Sequence, residues 1–177
     1  MFGIADYSPF VVAVIVFLMI PGPGNLALIR STGKGGMTGG LAATLGVLAG
    51  DQVLMWLAVA GVAALLAAYP PAFRAVQWLS AGYLAWLGLR LLLARPGAAP
   101  VLHIRAGPYF RPALAITLLN PKAIVFYMAF FPLFVDPARP AGFATFAVMA
   151  ATIAALTLVY GLIVTMIGFG LELALSR

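Results

Sequence analysis

Long apolar runs separated by short polar or Pro/Gly-rich stretches dominate this chain. Crossing a hydrocarbon core takes about 20 predominantly apolar residues. Five segments meet that requirement, about Ser8 to Ile29, Leu41 to Ala68, Ala75 to Ala94, Pro112 to Val135 and Gly142 to Leu171. The connections Gly33 to Gly40 and Tyr69-Pro70-Pro71 carry turn chemistry. The longest and least apolar connection runs from Arg95 to Arg111 and holds Pro96, Gly97, Pro100, Gly107 and Pro108. It reads as the link between two halves, residues 1–107 with a linker over 95–107, and residues 108–177.

Two of these segments are broken internally, the first at Pro21-Gly22-Pro23-Gly24-Asn25 and the fourth at Asn120-Pro121-Lys122. A helix in lipid must satisfy its own backbone, and freed groups are tolerated only against protein or a wet cavity. Pro removes a donor and clashes with the preceding turn, while Gly tolerates conformations closed to other residues, so both sites should open the helix. Interrupted segments at corresponding places in two halves mark the binding site of a secondary transporter. The rival reading of each break is a proline kink used only for packing.

Composition agrees with the pattern. With 64% hydrophobic and 8% charged residues and a mean hydropathy of +1.12, the chain is an all-α membrane protein of several spans. The net charge of +6 comes from ten Lys and Arg scattered without a basic run, which argues against nucleic acid as a partner. Zero cysteines exclude disulfides, thiolate metal sites and thiol redox chemistry. The single histidine, His103, lies in the link and makes no metal site by itself, so no cofactor is expected. The apolar run Phe10 to Ile20 has the length of a signal-peptide core. Asp6 is the only early charge, however, and the Pro21 break leads into more apolar sequence, so cleavage is not expected.

Basic residues set the orientation, because cytoplasmic loops carry the excess. If all five segments span, Arg30, Lys34, Arg90, Arg95, Arg105, Arg111 and Arg177 fall on one side and only Arg74 and Arg139 on the other. The amino terminus is then outside. Three segments precede the link and two follow it, and an odd number per half makes the halves inverted. That symmetry expects a sixth span of about 20 apolar residues beyond Arg177.

Asp51 lies about ten residues into the second segment, roughly 15 Å deep at 1.5 Å per residue. A carboxylate there costs about 2.5–3.5 kcal/mol on insertion scales and faces a cavity or a partner when it occurs. The alternative is an Asp in a helix-packing contact. Lys122 stands eleven residues beyond Arg111, roughly 16 Å deep. Residues 123–135 are too few to cross alone, so the stretch before Asn120 must enter the membrane too. The first break falls roughly 9–14 Å from the same interface, so both breaks, Asp51 and Lys122 share one depth. Amides freed at the start of a half-helix favour an anionic group, and carbonyls freed just before it favour a cation. With Asn25, Asn120, Lys122 and Asp51, the set Pro21 to Asn25 and Asn120 to Lys122 suits a small zwitterion.

Other features are weaker. Gly46 and Gly50 form a small-residue stripe for helix packing, within the bundle or across a homodimer. Phe126, Tyr127, Phe130, Phe131 and Phe134 are expected to anchor at the outer interface. Tyr83 and Tyr160 are candidates for lining the path. Thr152, Thr157 and Thr165 are candidates for the same path through the fifth segment, with the rival reading that such hydroxyls more often bond their own helix backbone.

These residues resemble the LysE/RhtB family of amino-acid exporters. The resemblance rests on Pro21-Gly22-Pro23, Gly50-Asp51, Tyr83-Leu84 with Leu87-Gly88, and Asn120-Pro121-Lys122 ahead of a Phe-rich stretch ending in Pro132 and Phe134, and it covers essentially the whole chain. It implies six hydrophobic segments in a bacterial inner membrane and proton-driven export of amino acids or small derivatives. On this reading Asn25, Asn120 and Lys122 lie near the substrate carboxylate, and Asp51 holds its amine or the coupled proton. Two rivals come from other classes. A non-transporting membrane assembly protein would keep its activity after Pro21→Ala and Lys122→Ala. An intramembrane enzyme would purify with a bound cofactor or metal.

Overall fold

The structure is a computed structural model that describes residues 6–69, 75, 78, 82, 89, 108–134 and 142–175. The segment Ala75 to Ala94, with Tyr83, and the linker 95–107 lie outside the described residues but for isolated positions. Among the described residues the secondary structure is helical: α1 (Tyr7–Met19), α2 (Pro23–Ala68), α3 (Phe110–Leu118), α4 (Pro121–Phe134) and α5 (Phe143–Leu175).

Both breaks follow from local chemistry. Ile20, held extended at φ −65° and ψ 117°, precedes Pro21, and a residue before proline is pushed out of the helical region. The helix restarts at Pro23, whose missing N–H is no loss in a first turn, and Leu26 N–H closes that turn on the Gly22 carbonyl at 3.1 Å. The second break works the same way. Asn120 caps α4 by accepting the Lys122 backbone N–H on Oδ1 at 3.1 Å, Pro121 takes the first helical position, and Ile124 N–H returns to the Asn120 carbonyl at 3.0 Å. The result is a bend of 58° between α3 and α4.

The connection expected over Gly33 to Gly40 is instead a corner inside α2. Gly36, at φ 57° and ψ −152°, is the single non-helical residue there. The chain folds back on itself at this point: a Cβ added at Gly39 would strike the Ser31 carbonyl, whereas residues eight apart in a straight helix stand about 12 Å apart. The first segment therefore stays helical past Ile29 to the corner, and the second is helical well before Leu41. Among the described residues two helices, α2 with its corner and α5, are long and apolar enough to cross a membrane, and the bent pair α3 and α4 adds a third if it forms one span.

The helix α2 packs against α3, α4 and α5, and α1 packs against α5. The Gly46 and Gly50 stripe is used inside this bundle: Gly46 faces the Phe110 carbonyl and Ala113, and Gly50 faces Thr117. Small residues let the α2 and α3 backbones approach closely. The aromatic residues of α4 correct an expectation. Phe126, Tyr127 and Phe130 are buried in the main core with Phe10, Phe17 and Met149 rather than placed at an interface. Phe17 and Phe126 stack at 3.7 Å between centroids, and Phe130 meets Phe10 at 5.3 Å. The 58° bend accompanies this change, for this face of α4 lies against α1 and is covered. Val12, Val16, Met166 and Ile167 are exposed on α1 and α5, as the lipid-facing side chains of a bundle would be.

Candidate functional site between two broken helices

The sequence-predicted residues Gly22, Gly24, Asn25, Asp51, Asn120 and Lys122 line one cleft, together with Thr117. Pro21, Pro23 and Pro121 set the breaks around it. Tyr160, half-buried, joins the cleft through Asn25.

The last turn of α1 leaves carbonyls that its own helix cannot satisfy. Donors from two directions meet them. The Asn25 side-chain amide donates to the Leu18 carbonyl at 3.0 Å, the Ile20 carbonyl at 3.2 Å and the Tyr160 hydroxyl at 3.0 Å. The Lys122 ammonium donates to the Ile20 carbonyl at 2.7 Å and the Phe17 carbonyl at 3.3 Å. A cation at a helix carboxyl end is favourable, and the Phe17 ring, 4.6 Å below the ammonium, adds a cation–π attraction. The lysine stem passes over Gly22, where a Cβ would lie 3.4 Å from both Cδ and Nζ.

Asp51 is almost fully buried, at 2% exposure. Its carboxylate accepts the Thr157 hydroxyl at 3.3 Å and the Tyr127 hydroxyl. Lys122, across the cleft, attracts it electrostatically. Thr157 thus departs from the ordinary pattern of a membrane threonine bonding its own helix, which Thr152 follows by donating to the Val148 carbonyl at 2.8 Å.

Of the residues expected from sequence near a substrate carboxylate, Asn25 and Lys122 donate here to the α1 end and Asn120 caps α4 through its side-chain oxygen. Thr117 and Tyr127 escaped the sequence reading as site residues, and Thr157 stood there only as one of several hydroxyls that could line the path. The Thr117 hydroxyl is buried without a hydrogen-bond partner and lines the cleft. A one-turn spacing before Asn120 was its only sequence signal, and Tyr127 stood out only as the one hydroxyl in a Phe-rich run. The cleft has a volume of about 30 Å³, room for about two water molecules and too little for an amino acid. Seating an amino acid there requires the helices to part.

Chemically the cleft offers carbonyls and a carboxylate for a cation. For an anion it offers an ammonium, a hydroxyl and the half-helix start at Pro23. Among the described residues no group of His, Cys, Asp and Glu is placed to hold a metal ion.

Known proteins give a consistent picture. The family model described as LysE type translocator matches residues 15–172. A leucine efflux protein of Salmonella typhimurium is 36% identical over 163 residues, covering 90% of this chain and 77% of that protein. One from Klebsiella pneumoniae is 34% identical with the same coverage. An uncharacterized membrane protein of Pseudomonas aeruginosa is 39% identical over 143 residues, covering 76% of this chain and 66% of that protein. No solved structure matches. Matched over most of its length, with both helix breaks inside the matched region, the chain belongs to the LysE type translocator family.

Proposed function

We propose that this protein exports an amino acid, or a small derivative of one, across the bacterial inner membrane by alternating access. The observation that carries the reading is the convergence of two broken helices on one cleft holding acceptors for an ammonium group and donors for a carboxylate. Membership of a translocator family and relatives named as leucine efflux proteins support the substrate class and the outward direction.

In this account residues 1–107 and 108–177 form inverted repeats, each contributing one broken helix, with the amino terminus outside. Five segments span the membrane in the order read from the hydropathy pattern. Asp51, buried and held by two hydroxyls, carries the coupled proton or meets the substrate amine. Thr117 and the amides at the start of α2 meet the carboxylate. Because the cleft is so small, substrate entry moves α1 relative to α4, and the breaks are the natural hinges.

Metabolite export by cells overproducing the full-length protein, measured across a panel of amino acids, tests this reading. Accumulation outside the cell of one or a few related amino acids, leucine foremost, is expected. Export of none of them would overturn it.

A further inference from the structure

The carbonyls that end α1 hold a cation that belongs to another helix. Lys122 stands in the first turn of α4, yet its ammonium hydrogen-bonds to Ile20 and Phe17 at the far side of the cleft. This contact ties the two broken helices together where the cleft must widen. A substrate's α-ammonium presents the same charge and the same three donors as lysine. Both cannot occupy one seat, since like charges a few Å apart repel. Two further observations mark the cleft as a place for an exchange. The Thr117 hydroxyl is buried there without a partner, which calls for an explanation in a native structure. Asp51 lies in the same cleft as a counter-charge for a displaced ammonium.

We propose that the Phe17 and Ile20 carbonyls at the end of α1 are the seat of the substrate's α-ammonium, and that Lys122 is the seat's tethered occupant, displaced when substrate binds. The proposal rests on the amino-acid export reading above and deepens it by naming Lys122 as a specificity-determining residue. A free ammonium becomes the feature that opens the cleft. Molecules lacking it, such as N-acylated amino acids, leave the lysine in place.

The sequence provides a clean probe. Residues 1–177 hold no cysteine, and Gly24 lines the cleft with nothing within 4 Å of an added Cβ, so Gly24→Cys installs a single thiol within them. Its labelling rate by a small thiol reagent is followed in proteoliposomes of the full-length protein. Labelling is expected to be slow alone and with N-acetylleucine. Saturating leucine should speed it at least about tenfold, the factor for losing one hydrogen bond to a charged group. Adding Lys122→Gln should give fast labelling without any ligand, while Lys122→Arg should restore the slow, leucine-responsive behaviour. Equal acceleration by N-acetylleucine and leucine overturns the ammonium seat, and that comparison needs no lysine variant. Slow labelling of a folded Lys122→Gln protein overturns the tether. Fast Lys122→Gln labelling in a protein that exports no amino acid upholds the tether and rejects the export reading instead.

Discussion

Asn25 is the residue on which the first break depends. One side-chain amide serves two carbonyls of α1 and the Tyr160 hydroxyl of α5, so it fastens three elements at once. Replacing it with Ala leaves the Leu18 carbonyl without that donor, at a cost of about 1–3 kcal/mol. A lower thermal midpoint for Asn25→Ala in detergent, with a smaller drop for Tyr160→Phe, checks this. Around Asp51 the corresponding prediction concerns function. Tyr127→Phe with Thr157→Val removes both hydroxyls that hold the carboxylate, and the export rate should fall while the protein still folds. Asp51, Lys122, Asn25 and Asn120 were legible in the sequence because charged or amide side chains are out of place in an apolar run. Thr117 and Tyr127 were not, and Thr157 was legible only as one of several candidate hydroxyls of the fifth segment. Hydroxyls sit comfortably in any membrane helix by bonding the preceding turn, so only coordinates reveal which ones turn away from it.

The elements teach a different lesson, about glycine. The breaks at Pro21 and Pro121 were readable because proline stops a helix by its own chemistry. The Gly33 to Gly40 stretch reads as a loop for its glycine content, yet most of those glycines serve close approach within helical arms, and only Gly36 has a backbone closed to other residues. Gly36→Ala forces that conformation on a residue with a Cβ and should cost about 1–3 kcal/mol. Gly46→Ala pushes a methyl group against the Phe110 carbonyl of α3 and should cost a similar 1–3 kcal/mol or so by overpacking. Gly61, with nothing within 4 Å of an added Cβ, is the control: its Ala variant should stay within about 0.5 kcal/mol of the parent. Thermal unfolding of the three variants side by side distinguishes packing glycines from incidental ones. The aromatic residues of α4 were misplaced for a related reason. An interfacial belt and a buried cluster have the same composition, and the direction set by a 58° bend decides between them.

At the scale of the whole molecule, depth arithmetic along separate segments placed the two breaks, Asp51 and Lys122 at one level, and the fold brings them to one cleft. The proposed transport site rests on that convergence of two interrupted helices. In the proposed mechanism this cleft carries the substrate and Asp51 couples its movement. Leucine efflux from proteoliposomes containing the purified full-length protein, with and without an imposed proton gradient, compares the parent with Asp51→Asn directly. Gradient-stimulated efflux is expected from the parent, and efflux at least about tenfold slower and insensitive to the gradient from the variant, a barrier change of about 1.4 kcal/mol or more. Undiminished efflux by Asp51→Asn, with the same dependence on the gradient, would contradict that mechanism.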